Sequence, residues 1–71
     1  MINDRPLPSH LWLPGDIVTR DGIDEHEIID IKMHTIRVRC IKTSKNPYQE
    51  IGDIEDNLTR RYVWVRGIKY R

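Results

Sequence analysis

A run of strictly alternating side chains in residues 35–41 constrains the fold more than any other feature of this sequence. The apolar members of the run are Ile36, Val38 and Cys40. Successive side chains of a β-strand point to opposite faces, so the pattern predicts a strand with these three residues in a core. Arg37 and Arg39 are then expected on the opposite face. The run therefore predicts a sheet.

Three further segments have strand-forming residues bounded by turn signals, namely residues 16–20, 26–33 and 61–65. The acidic residues 55–58 have low strand propensity, and we expect them to form one short helical turn. The chain thus predicts a mostly β fold of four or five short antiparallel strands. Such chains close into small barrels, because closure removes exposed strand edges, and a small SH3-like barrel is the expected fold.

Alternation also assigns faces within two of these strands. In residues 26–33, one predicted face carries Ile29, Ile31 and Met33, and the other carries Ile28, Asp30 and Lys32. In residues 61–65, Val63 and Val65 are predicted to share one face, and Tyr62 and Trp64 the other.

The length of 71 residues allows one domain, which we place at residues 13–71 after an extended N-terminal arm, residues 1–12. A chain this short buries only about 60% of its unfolded surface, and oligomerisation would supply further burial. We expect the apolar end of the arm to dock on the barrel or on a neighbouring subunit. This candidate interface comprises Leu11, Trp12 and Leu13.

Several classes of protein and site are excluded or disfavoured by the sequence. Cys40 is the only cysteine, which rules out a disulfide within the chain and favours a reducing, cytoplasmic setting. No apolar run is long enough to span a membrane, and no signal peptide is recognisable. We predict no catalytic residue, metal site or cofactor. Asp24 and His26 share a predicted strand face without a second pair of ligands, and Cys40 falls on the apolar face.

The near-neutral charge of the chain conceals an asymmetry. Residues 1–36 carry seven acidic and three basic side chains, a net charge of −4, whereas residues 37–71 carry four acidic and nine basic ones, a net charge of +5. This division either creates a positive face or provides oppositely charged strands that pair across the sheet.

Three segments carry a resemblance to known proteins: GDIVTRDGIDEHEIIDI, TIRVRCIK and IGDIEDNLTRRYVWV. Across residues 13–66 they resemble small phage- and prophage-type proteins, and the order of strands and turns resembles SH3-like barrels of the KOW and Tudor type. The resemblance implies a fold and a phage context. It transfers no catalytic or binding residue.

The candidate ligand-binding residues combine guanidinium groups with aromatic rings: Arg37, Arg39, Arg60, Arg61, Tyr62 and Trp64. If the third and last strands share one wall, these side chains form one surface. Guanidinium groups bind phosphate and aromatic rings stack bases, so the surface predicts a non-enzymatic module for nucleic acid or a sequestered signalling nucleotide. In the alternative interpretation, the arginines pair with Glu27, Asp30 and Glu55 and the rings are structural.

A second functional hypothesis is a protein-interaction module or an inhibitor of a host protein. It would use the acidic residues 21–30 or the candidate interface of the arm. An exposed strand edge would also allow addition to a partner's sheet.

Overall fold

The computed structural model describes residues 7–44 and 50–67. In these residues, the chain forms five strands and two 3-10 helices: η1 (Ser9–Leu11), β1 (Ile17–Thr19), β2 (Glu25–Ile31), β3 (Thr35–Lys42), β4 (Ile54–Leu58), η2 (Thr59–Arg61) and β5 (Val63–Arg66). The strands form one antiparallel sheet in the order β4-β3-β2-β1-β5. A mostly β fold is therefore confirmed. The sheet of the described residues has two free edges and is not closed.

The strand β3 has the predicted division of its two faces. Ile36, Val38 and Cys40 are buried, whereas Arg37 and Arg39 are exposed. Ile36 and Val38 belong to one core, which also contains residues of β1, of β2 and of the segments beside η1 and η2. The buried members of this core are Trp12, Val18, Ile28, Ile36, Val38 and Tyr62.

The predicted faces of the second strand are wrong because β2 contains an irregularity. The register with β3 shifts between Ile28 and Asp30, which puts an extra residue, Ile29, into β2. Such a bulge reverses the side-chain alternation that follows it. Ile28 is consequently buried and Ile31 packs against the core, while Ile29 is exposed and Met33 lies beyond the end of the strand.

The helical turn predicted at residues 55–58 is also misplaced. These residues belong to β4, which pairs with β3 from Thr35 opposite Leu58 to Arg39 opposite Ile54. The pairing places Asp56 of β4 opposite Arg37 of β3, and such tertiary pairing overrides a low intrinsic strand propensity. The helical turn is η2, in the next three residues.

The described part of the N-terminal segment packs on its own chain. Trp12 follows η1, is 6% exposed, and donates its indole N–H to the Leu7 carbonyl at 2.8 Å. Leu11 and Leu13 on either side are exposed. Of the three candidate interface residues, Trp12 therefore belongs to the core, and only the two leucines remain for contacts with a partner. The first half of the predicted arm lies outside the described residues.

Candidate functional site

The two arginines of β3 lie in rows of alternating charge. Arg37 sits between Asp30 of β2 and Asp56 of β4 in the strand register, and Arg39 sits beside Glu27. Arg37 makes two hydrogen bonds to the Asp56 carboxylate, with Nε to Oδ1 at 2.8 Å and Nη2 to Oδ2 at 3.3 Å. Its guanidinium holds the pKa of Asp56 below the ordinary range.

Arg39 is neutralised in the same way, because its Nη2 donates to Glu27 Oε1 at 2.6 Å. Both guanidinium groups are half exposed, so solvent screens these ion pairs and they contribute little to stability. Each ion pair nonetheless has a net charge close to zero, so the electrostatic field around it is weak. The outer surface of β3 therefore has little attraction for an anion.

The predicted surface of arginines and aromatic rings does not form. β2 and β1 separate β3 from β5, and the aromatic side chains lie on the inner face of the sheet. Tyr62 is 5% exposed, and burial raises its pKa to about 12. Trp64 packs against the core and donates its indole N–H to Asp16 Oδ2 at 3.2 Å. Neither ring offers a face on which a base can stack beside Arg37 or Arg39.

Arg60 and Arg61 have a different environment, on η2. Both are exposed, and among the described residues no carboxylate lies within ion-pairing distance of either guanidinium. The Thr59 amide donates to the His34 carbonyl at 3.0 Å, which fastens η2 to the turn between β2 and β3. Two segments that are far apart in sequence thus meet at one end of the sheet.

A pocket of about 550 Å³ opens at this junction, and we call it the η2 pocket. Its lining residues are Ser9, Met33, His34, Leu58, Thr59 and Arg60. The volume is within the range of small-molecule sites, roughly 300–1,000 Å³. The lining contains a guanidinium, an imidazole and two hydroxyl groups but no carboxylate, so its hydrogen-bonding groups suit an anion.

Thr59 adds a specific feature to the η2 pocket. Its hydroxyl oxygen is buried, and no atom of the described residues forms a hydrogen bond with it. Buried hydroxyl groups usually have a partner, and one without a partner calls for an explanation. Because the oxygen is buried, this hydroxyl is not exposed to a ligand in the pocket, and Arg60 next to it is the exposed donor.

The sequence names Arg60 and Arg61 as candidate ligand-binding residues, and the structure places Arg60 in the pocket lining. The other lining residues could not be predicted. In the sequence, His34 is only the residue between two predicted strands, and Thr59 belongs to no recognised pattern. The register of β4 against β3, with Thr35 opposite Leu58, brings these residues together. No local sequence pattern encodes that register.

Asp24 and His26 do share a strand face, as predicted, but they form a buried pair. Each is 1% exposed, and His26 Nε2 lies 2.7 Å from Asp24 Oδ2. The other carboxylate oxygen accepts hydrogen bonds from the Thr19 hydroxyl at 2.6 Å and the Arg20 amide at 3.0 Å. The described residues contain no cluster of three or more metal-ligating side chains. The pair therefore organises the loop between β1 and β2.

The register also places Cys40 opposite His26 on the inner face, which puts a thiol, an imidazole and a carboxylate in one region. Cys40 is 2% exposed, and its Sγ donates to the Lys42 carbonyl at 3.7 Å. Burial raises the pKa of this thiol, whereas a nucleophilic cysteine needs a lowered one. Cys40 is therefore an unreactive core residue in this arrangement.

The helices of the described residues are η1 and η2, and neither is long and apolar enough to cross a membrane. In comparisons with known proteins, no protein-family model, no curated protein and no solved structure matches the chain.

Proposed function

We propose that this protein is a non-enzymatic binding module that recognises a phosphate-bearing ligand, either a nucleic acid or a nucleotide, at the η2 pocket. One observation carries the proposal. Arg60 lines the pocket and Arg61 follows it on η2, and both are exposed and unpaired within the described residues. Arg37 and Arg39, by contrast, are matched by carboxylates. An incoming phosphate meets no competing carboxylate in the pocket lining.

The roles of the pocket residues follow from their donor groups. Arg60 offers a planar guanidinium that can form two parallel hydrogen bonds to phosphate, and Arg61 contributes charge from the same helix. The hydroxyl group of Ser9 and the imidazole of His34 supply further donors. Because Tyr62 and Trp64 are core residues, we assign no base stacking to this site.

We also propose that the sheet curls into an SH3-like barrel that stays open between its edge strands β4 and β5, and that the protein is of phage type. The curl is supported by Arg20 at the end of β1, whose Nη1 lies 3.7 Å from Glu55 Oε1 on β4. Two strands separate β1 from β4, so a flat sheet would hold their backbones about 14 Å apart. The position of η2 just before β5 also agrees with the turn expected in such barrels.

The experiment is a binding titration of fluorescently labelled 20-nucleotide single strands, repeated across a salt series. Two phosphate contacts on a single strand give a slope of log K against log salt of about −1.4, so affinity should fall roughly sevenfold from 50 to 200 mM salt. The double variant Arg60→Ala with Arg61→Ala should weaken binding by at least about tenfold and flatten the slope.

The matched control is Arg37→Ala with Arg39→Ala, which removes the same charge from the outer face of β3 and should leave affinity within about twofold. If the Arg37→Ala with Arg39→Ala protein loses binding while the Arg60→Ala with Arg61→Ala protein retains it, the assignment to the η2 pocket is wrong.

A second experiment tests adenine nucleotides and cyclic nucleotides as ligands in thermal-shift measurements. Stabilisation by a nucleotide without oligonucleotide binding would identify a sequestration site; failure of both arms would reject the proposal.

The second candidate function, a protein-interaction module, is favoured by the exposure of Leu11 and Leu13 beside the anchored Trp12. The acidic segment gives it less support, because Asp24 is buried and Glu25 and Glu27 pair with arginines. Capture from a host-cell lysate should then be lost in the variant Leu11→Asp with Leu13→Asp. It should persist in Ile23→Asp, a similarly exposed control on the β1–β2 loop.

A further inference from the structure

The open sheet leaves two strand edges without a neighbour in the described residues. β4 ends the sheet on one side, and β5 ends it on the other. An edge strand exposes unpaired N–H and C=O groups and is a template for pairing with another chain. Proteins commonly protect such edges with charged side chains, so the charges along the two edges indicate which partner each edge accepts.

The two edges carry opposite charges. Residues 50–58, which contain β4, include four acidic side chains and no basic one. Residues 59–67, which contain β5, include three arginines and no acidic side chain. Like charges placed opposite one another disfavour pairing of β4 with β4 or of β5 with β5. Asp56 and Arg66 are already paired within the chain, so the unlike charges that a second copy can bring together are those just before the two strands. They are Glu50 and Asp53 before β4, and Arg60 and Arg61 before β5, all of them exposed.

Exposed apolar side chains accompany these charges on the outer face. Ile54 of β4 is 59% exposed and lies beside the outward-facing Arg39. Val63 and Val65 of β5 are 48% and 37% exposed, on the face opposite the buried Tyr62. β-Branched residues of adjacent strands stabilise a sheet through their side-chain contacts, by roughly 0.2–1 kcal/mol per pair.

The strand directions allow these side chains to meet. Every neighbouring pair in the sheet is antiparallel, and four such junctions separate β4 from β5, so the two edge strands run in the same direction. When a second copy continues the sheet with the same face outward, its β5 lies parallel to β4. Ile54 then shares a face with Val63 and Val65.

We propose that copies of this chain associate head to tail, with β4 of one copy pairing with β5 of the next. The partner is a second copy because each chain contains both complementary edges, at opposite sides of its sheet. Such an interface is heterologous, so it produces a ring when the rotation closes and a filament when it does not. A parallel pair is slightly weaker per residue than an antiparallel one, and we therefore expect association that depends on concentration and salt.

The experiment measures the mass of the full chain by light scattering over a range of concentrations. The native protein should exceed the mass of one chain at high concentration, and added salt should reduce that mass. Ile54→Lys places a cation on the β4 edge, and Val63→Glu places an anion on the β5 edge. Each variant alone should weaken association by at least about tenfold. Circular dichroism verifies that both variants are folded.

A mixture of the two variants should associate again, because β4 of the Val63→Glu protein and β5 of the Ile54→Lys protein are intact. Ile29→Lys is the matched control, since Ile29 is an exposed isoleucine on the interior strand β2, and it should leave association unchanged. All variants retain Arg60 and Arg61, so the outcome is independent of phosphate binding.

Three results would overturn the proposal. The first is the mass of a single chain at every concentration. The second is continued association of the Ile54→Lys protein alone, which would indicate pairing of β5 with β5. The third is continued association of the Val63→Glu protein alone, which would indicate pairing of β4 with β4.

Discussion

Replacing Asp24 by alanine should destabilise the fold more than replacing any exposed carboxylate. The Asp24 side chain is 1% exposed and accepts hydrogen bonds from the Thr19 hydroxyl, the Arg20 amide and His26 Nε2 at 2.6, 3.0 and 2.7 Å. Removing the carboxylate leaves these buried donors unsatisfied, and each costs about 1–3 kcal/mol. Since such losses within one network are not additive, we expect a total of roughly 3–5 kcal/mol.

That cost is large for a chain of this size, whose total stability is on the order of 4–10 kcal/mol. Equilibrium denaturation in urea, followed by circular dichroism, measures the loss. Asp24→Asn keeps the shape and one carbonyl acceptor, so its cost should be smaller. Asp30→Ala is the control, because Asp30 is exposed, and it should cost less than about 1 kcal/mol. A loss below about 1 kcal/mol for Asp24→Ala would refute the role assigned to this network.

Three further predictions concern separate parts of the fold. Gly22 has a φ of +88°, and no atom of the described residues beyond its chain neighbours lies within 4 Å of the position that a Cβ would take. Gly22→Ala should therefore lower the free energy of unfolding by about 1–2 kcal/mol through backbone strain alone, as measured by urea denaturation. An unchanged midpoint of unfolding would contradict this. The Cys40 thiol should react with a thiol reagent at least about a hundredfold more slowly in the native protein than in denaturant, and equal rates would show that it is accessible. Because Arg37 lowers the pKa of Asp56, the ion pair stabilises the fold above the ordinary aspartate pKa, and this contribution is lost as the pH falls through the lowered value. Arg37→Met should therefore raise the Asp56 pKa in an NMR titration and weaken the acid dependence of stability, and an unmoved pKa would be inconsistent with the pair.

The parts of the fold that were predicted correctly depend on local periodicity. In β3, one face is apolar and the other is polar, so the alternation alone distinguishes the core face. In β5 the alternation was also correct, but both faces are apolar. Periodicity cannot decide whether Val63 or Trp64 points inward. The structure resolves this in favour of Tyr62 and Trp64, since the large rings fill the core of a chain without phenylalanine.

The parts that were missed depend on contacts between distant segments. β4 is acidic and weakly strand-forming, and its pairing with β3 stabilises it in a way that no local window reveals. The bulge at Ile29 likewise reverses an alternation that looked regular. The η2 pocket joins His34 to Arg60 through the same β3–β4 register, so of its lining residues the sequence named only Arg60 as a candidate.

The most direct test of the central claim is a ¹H–¹⁵N NMR titration of the protein with the single-stranded oligonucleotide and, separately, with an adenine nucleotide. The measurement reports each backbone amide and so locates the ligand without substitutions. Binding at the η2 pocket predicts the largest shift changes at His34 and at Thr59 to Arg61, with little change at Arg37 and Arg39. Changes centred on Arg37 and Arg39, or no changes with either ligand at millimolar concentration, would contradict the account.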